Sequence, residues 1–349
     1  MLLHFDGFET YGANGATGAN LANAMERVYY NDLTQGVDAS VNDGYSSGLA
    51  IQMGSIYESQ FFQWNVTPVN LDTFYFGFHI FLPDMSDGSM TGAIVWIRGI
   101  TGTTHLSLWL HQCGGLAWRQ GEIGNYICWG GSLKKHRWYF VEGKVVIKGT
   151  ATGSVELRVN GETVTSASSV QTSQDTFHLL GAIRFNSTLG GIRYDNFYLV
   201  DETAGGPVTF LGPCYVEQLI PTSDVVTDWT PSSGSNHYAL VDETTLPNAT
   251  DYVSTSTVNN ADEWGYSNLA NIETVFGVQT MVQAWLNQPG SRTLQITCNS
   301  GGTVNAQNIA LVDTNTVRYL AHLNKDPNGN VDWTPTAINA AQFGIKLGA

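Results

Sequence analysis

Charged residues are scarce in this chain, only 13% of its 349 residues, and the basic ones are the scarcer sign, 15 against 30 Asp and Glu. The net charge of −15 lacks the basic footprint that phosphate backbones require, so nucleic acid is excluded as a partner. It argues equally against anionic membrane surfaces and fits a soluble, extracellular or virion-surface protein. No apolar run approaches the roughly 20 residues that cross a bilayer, so membrane insertion is not expected. The opening Met1-Leu2-Leu3-His4-Phe5-Asp6 has neither a basic segment nor an apolar core of signal-peptide length. If the protein works outside a cell, it gets there without a classical signal, and release of a virus particle from a host cytoplasm by lysis is one such route.

Cysteine is sparse too. Cys113 and Cys128 precede residue 203, while Cys214 and Cys298 follow it, so each half has enough for one bridge. No Cys-x-x-Cys occurs, which excludes a zinc ribbon or dithiol redox motif. Without a signal peptide, free buried thiols are the expectation.

Catalytic and metal-binding motifs are missing as well. None of the eight His residues repeats at zinc-ligand spacing, and no phosphate-binding Gly-rich loop ends in Lys. Gly44-Tyr45-Ser46-Ser47-Gly48 spells a hydrolase elbow, but that elbow needs a strand before it and a helix after it. Here turn residues precede it and an apolar, strand-like run follows, so it reads as a turn between strands. Asp195-Asn196, Asp242-Glu243 and Asp251 offer oxygen ligands that calcium would accept. No EF-hand-like loop frames them, surface turns account for them equally well, and no cofactor or metal site is expected. Three Asn-x-Ser/Thr triplets start at Asn65, Asn186 and Asn248 and read as chance in a Thr- and Asn-rich chain.

What is abundant is Gly, 38 residues, and aromatics, with 10 Trp, 15 Tyr and 15 Phe. That mixture favours strands and tight turns over long helices. Residues 73–82, 92–98, 105–111, 135–147, 154–164, 177–185 and 191–200 read as strands. In 105–111, Leu106, Leu108 and Leu110 point one way while Ser107, Trp109 and His111 point the other. Asn160-Gly161 predicts a type I′ hairpin turn, because both residues tolerate positive φ. A short helix or loop is predicted over 19–31 and a short helical turn from Pro335. Strands are predicted again at 237–242, 276–286, 292–298, 307–313, 316–323 and 341–347.

The stretch Gly191 to Glu202 is the organising strand, because the flexible Thr203-Ala204-Gly205-Gly206-Pro207 follows it. It divides the chain into a domain over 1–203 and a second over 208–349. Both of its faces are partly apolar: Ile192, Tyr194, Tyr198 and Val200 on one, Phe197 and Leu199 on the other. A strand open to water on one face alternates more cleanly. Tyr194 and Tyr198 are therefore placed at a fixed domain joint, covered by the second domain or a partner subunit.

A Trp138-started strand, a Gly-marked turn and then VELRVNGE over 155–162 resemble the core of the concanavalin A-like, laminin-G-like jelly roll. YDNFYLVDE over 194–202 is similar to that family's last strand. The resemblance spans about residues 1–203 and implies an antiparallel jelly-roll β-sandwich with a lectin-like role. LGPCYVEQLIPTSD from 211, DYVSTSTVNNADEW over 251–264 and AQFGIKL over 341–347 resemble a C-terminal module of tailed-phage virion surface proteins. That implies a smaller β-sandwich-like domain for anchoring or oligomerisation. The whole reads as an all-β, non-enzymatic virion-surface subunit, a fibre, spike or decoration protein on tail or capsid. Its expected partners are other virion proteins, copies of itself and host cell-surface glycan. Trp109, His111, Trp118, Tyr126 and Trp129 are the candidate sugar platform, since rings beside polar groups suit the C–H faces of sugars. The alternatives are a free carbohydrate-binding module and a polysaccharide-degrading enzyme.

Overall fold

A computed structural model describes all residues except 14, 26–27, 33–39, 46–47, 55–59, 67–69, 85–90, 187–189, 245–249 and 270–273. The described chain is nearly all β, in antiparallel sheets, with two short α-helices, Gly18–Met25 and Pro335–Ala340. It divides into two compact units. One comprises 3–203 with 207–216; the other comprises 1–2, 204–206 and 217–349. The first stretch past the Gly-rich connector thus groups with the first unit.

The first unit contains strands β1 (Leu2–Asp6), β2 (Tyr30–Asp32), β3 (Ser40–Asp43), β4 (Leu49–Gln52), β5 (Phe61–Asn65), β6 (Thr73–Phe81), β7 (Gly92–Gly99) and β8 (Thr104–Leu110). It continues with β9 (Leu116–Gln120), β10 (Tyr126–Gly130), β11 (Trp138–Val146), β12 (Gly153–Val159), β13 (Glu162–Val170), β14 (Leu180–Asn186) and β15 (Arg193–Asp201). An eight-stranded sheet runs β13-β12-β11-β6-β15-β4-β3, with β1 added beside β15. A seven-stranded sheet runs β10-β9-β8-β7-β14-β5-β2. The core between them is aromatic. Phe76, Phe78, Phe185 and Tyr194 are fully buried there, with Phe78 edge-on to Phe185 at 5.3 Å.

Local chemistry explains the joints. Asn160 and Gly161 have φ of 52° and 86°, as the predicted hairpin between β12 and β13 requires. Gly44 and Gly48 close the β3–β4 hairpin, with Gly44 N–H donating to the Gly48 carbonyl at 2.8 Å. The elbow-like motif is therefore a turn between strands. Its Ser46 and Ser47 lie outside the described residues, as do parts of all three Asn-x-Ser/Thr triplets.

Strand β15 departs from the expected alternation. Its pairing with β6 shifts register between Asp195 and Tyr198, and Asn196 carries a positive φ of 51°. This bulge reverses the facing of the residues after it. Tyr194 and Tyr198, expected on one face, lie on opposite faces. The Tyr194 hydroxyl bonds the carbonyls of Ile94 and Asn186 inside the sandwich, at 3.1 and 2.9 Å. Tyr198 packs over Gly77 on the outer face and donates to Glu142 at 2.6 Å. Both are buried. The outer cover comes from the stretch just past the connector: Leu211 N–H donates to the Tyr198 hydroxyl, Gly212 N–H to Glu142 and Val216 N–H to Asn196.

The second unit is built on a five-stranded sheet in the order 221–227, 261–266, 342–347, 292–300, 303–311, and a separate two-stranded antiparallel sheet of 278–284 with 317–323. Cys298, Trp333, Ile338 and Phe343 form one part of its core, and Trp264, Leu294, Leu311 and Ile345 another. The expected strand at 237–242 is instead a 3₁₀ turn, Tyr238–Leu240. The carboxylate of Asp224 accepts both the His237 and Tyr238 N–H groups and holds that turn. The four cysteines are free thiols; Cys298 is buried and Cys113 exposed.

Candidate functional site

The outer face of the seven-stranded sheet gathers four of the five predicted platform residues. In β8, Leu106, Leu108 and Leu110 fill the core, which turns Ser107 and Trp109 outward. Cross-strand register then sets two rows. Trp109 pairs with Ala93 on β7 and Ala117 on β9, and Ala117 pairs with Trp129 on β10. Ser107 pairs with Trp96 and Arg119, and Arg119 with Tyr126. The small neighbours Ala93 and Ala117 leave room for the Trp109 indole to lie against them.

His111 follows β8 and stands at the centre of the aromatic group. Its ring centroid is 4.1 Å from Trp129, 5.6 Å from Tyr126 and 6.5 Å from Trp109. Tyr126 and Trp129 are about half exposed, at 51% and 48%, while Trp109 and His111 lie beneath at 9% and 8%. Gly115 supports Trp129. A methyl there would meet three atoms of the indole at 2.8 to 2.9 Å, so only glycine lets the ring settle on the backbone.

Arg119 lies between two of these rings, its guanidinium carbon 4.4 Å from the Trp109 centroid and 4.5 Å from that of Tyr126. Its Nε donates to the Gly124 carbonyl at 2.8 Å and its Nη2 to the Ile123 carbonyl at 2.7 Å. Those bonds draw the 121–125 loop back over the sheet. There Ser107 Oγ donates to the Gly121 carbonyl, and Trp109 Nε1 to Ser107 Oγ and the Glu122 carbonyl. The loop fixes the rings from above, so the platform is rigid before any ligand arrives.

The imidazole of His111 lies under the two exposed rings. Its Nε2 is buried and has no hydrogen-bond partner among the described residues. Burial, with a smaller contribution from the Arg119 charge, moves its pKa below the ordinary histidine value, so it is neutral at neutral pH.

Trp118 does not belong to this site. It neighbours Arg119 in β9, so strand alternation sends it to the core, where it is fully buried and edge-on to Phe76 at 6.2 Å. Arg119 escaped the sequence reading, although its place two residues past Ala117 already put it on the outward face. The same logic reaches two more arginines. Arg184 on β14 pairs with Trp96 and stacks on Phe61 and Trp96, at 3.5 and 4.4 Å. Arg98 on β7 donates to Gln63 at 3.1 Å.

Of the acids weighed for calcium, Asp195 is buried. Its Oδ2 accepts Tyr45 N–H at 2.7 Å and its Oδ1 has no partner among the described residues. Burial, opposed by that hydrogen bond, pushes its pKa up to about 8. Nearby Glu9 accepts Leu49 N–H at 2.8 Å and is raised to about 7, again mainly by burial. Among the described residues no three His, Cys, Asp or Glu side chains converge as a metal site.

No protein-family model matches the chain, and no curated protein matches it. Solved structures do. Alginate lyase Aly36B matches at 16% identity and TM-score 0.40, over 56% of this chain and 95% of its own. A marine PL-14 alginate lyase from Aplysia kurodai matches at 11% and 0.41, over 57% and 99%. An endo-β-1,4-glucuronan lyase from the fungus Trichoderma reesei matches at 13% and 0.41, over 57% and 95%. At these identities the likeness concerns the sandwich fold. These three are polysaccharide lyases by name rather than virion subunits. The expectations of a non-enzymatic phage protein and of no enzymatic activity are corrected on that finding.

Proposed function

We propose that the first unit is a carbohydrate-active domain that takes a polysaccharide against the outer face of β7 to β10. The observation that carries this is the pair of half-exposed rings, Tyr126 and Trp129, held on one hairpin beside His111 and Arg119. A soluble protein gains nothing in stability from leaving such rings in water. Sugar C–H faces pack well on them, while neighbouring polar groups fix orientation.

His111 favours a second step, cleavage. A neutral imidazole with an unpartnered nitrogen lies next to the Tyr126 phenol, which places a proton acceptor and a proton donor in one cluster. In this reading His111 takes the proton from the carbon beside the scissile C–O bond, a carbon–carbon double bond forms as that C–O bond breaks, and Tyr126 gives a proton to the departing oxygen.

Isothermal titration and viscometry against a panel of soluble polysaccharides test both parts. Trp129→Ala is expected to weaken binding at least tenfold, the loss typical of a central aromatic contact. His111→Gln is expected to abolish viscosity loss and leave binding intact. A panel in which nothing binds the full chain refutes the polysaccharide face. Binding with unchanged viscosity removes the cleavage step alone.

A further inference from the structure

The face just described carries three arginines, Arg98, Arg119 and Arg184, in a chain whose net charge is −15. We propose that its polysaccharide is polyanionic, bearing carboxylate or sulfate groups, and that Arg119 and Arg184 receive those groups at two points along the glycan. This rests on the reading of that face as a polysaccharide site.

Register places the two arginines in one row. Arg119 pairs with Ser107, Ser107 with Trp96 and Trp96 with Arg184, across β9, β8, β7 and β14. Three strand spacings separate them, about 14 Å. A glycan laid across the strands would meet one guanidinium, pass the 121–122 loop that covers Ser107, and then meet the Trp96 ring and the other guanidinium.

Each guanidinium is held by aromatic rings. Arg119 lies between Trp109 and Tyr126, and Arg184 between Phe61 and Trp96. Ring contact fixes the plane of the planar fork, and a fixed fork suits the two oxygens of a carboxylate or sulfate. Nη1 of Arg119 makes no hydrogen bond to a described residue, since the loop carbonyls engage only Nε and Nη2. Arg119 and Arg98 also have no carboxylate within ion-pair distance among the described residues, whereas Lys144, Lys148 and Arg158 of the opposite sheet all do. Neutral sugars call for rings and hydrogen bonds alone; a row of ring-stacked arginines adds an anion requirement.

Affinity electrophoresis of the full chain tests this, with gels containing a polyuronate, a sulfated galactan, an uncharged β-glucan or single-stranded DNA. Retardation is expected in the polyuronate or the sulfated galactan, and which one identifies the anionic group. It is expected to weaken as salt rises. Arg119→Gln and Arg184→Gln should each weaken it about tenfold, the loss expected for one charge-assisted contact. Lys144→Gln, the same charge change on the other sheet, should leave it unchanged. The salt dependence of the unmodified protein reads the same property if a variant misfolds. Equal retardation by the β-glucan, indifference to salt, or stronger retention by DNA overturns the anionic assignment. In the β-glucan case the polysaccharide face still stands. Retention by none of the polymers overturns both.

Discussion

The two large sheets of the first unit share one core but finish their outer faces in opposite ways. The eight-stranded sheet is closed by the stretch of chain just past the connector. Phe210 packs edge-on to Tyr75 at 5.0 Å and lies under Arg158 at 3.9 Å. Glu142, Tyr198 and the backbone of 211–212 satisfy one another beneath it. Two of its cations have carboxylate partners, Lys144 with Glu202 and Arg158 with Glu156, while Arg193 stacks on Phe81. The seven-stranded sheet instead ends in half-exposed rings and in arginines stacked on aromatics. The closure is partial, since Tyr45, stacked on the outward His79 at 3.9 Å, stays 39% exposed on the eight-stranded side. The proposed polysaccharide face rests on this difference in closure.

Two tryptophans eleven residues apart break this comparison most sharply. Trp118 is core and Trp129 is half exposed. Trp118→Ala is expected to cost about 3–5 kcal/mol of folding stability, as large-to-small core changes do, read as a fall in the denaturant midpoint. Trp129→Ala should change stability by less than about 1 kcal/mol while removing polysaccharide affinity. Equal stability losses from both variants would mean that the aromatic cluster is core after all.

Much of this architecture was legible because alternation is a strong signal. It placed Trp109 and His111 outward and opposite Leu106, Leu108 and Leu110, and Asn160-Gly161 announced a hairpin that the backbone angles bear out. Reading aromatics as a set rather than by parity is what misplaced Trp118. The facing of Tyr198 was not legible, because a bulge at a non-glycine residue, Asn196, leaves little mark in the sequence. The role of Arg119 was illegible for a different reason. Its partners are main-chain carbonyls of a loop and rings on two other strands, contacts that exist only once register is set.

Acid and base should separate the sheets next. Asp195 sits under the β3–β4 turn, on the eight-stranded side, with a pKa raised to about 8 by burial. An unfolded Asp ionises near pH 4. Between those values the native state holds a proton that the unfolded state has released, so stability is greatest below about pH 4 for this group and falls as pH climbs towards 8. Chemical denaturation at pH 5 and pH 9 should show the first unit weaker at pH 9 by a few kcal/mol. Asp195→Asn should flatten that slope. A variant slope equal to that of the parent would assign the pH dependence to other groups, such as Glu9 at about 7.

The smallest effect concerns the paired cations. Glu156 and Arg158 meet at 2.8 Å, and Lys144 and Glu202 at 3.6 Å, all at least a quarter exposed. Water screens such pairs, and ordering two long side chains costs entropy, so each is worth at most about 0.5–1 kcal/mol. Lys144→Gln should therefore leave the thermal midpoint nearly unchanged. Arg158→Gln should do slightly more, because the guanidinium also covers the Phe210 ring, and an arginine lost from a ring face takes packing with it. A double-mutant cycle between Arg158→Gln and Phe210→Leu isolates that share. A coupling near zero would mean that the ring is held by the backbone just past the connector alone. A coupling of about 0.5–1 kcal/mol would show that stacked arginines serve both sheets, closing one face by packing and leaving the other able to meet a ligand.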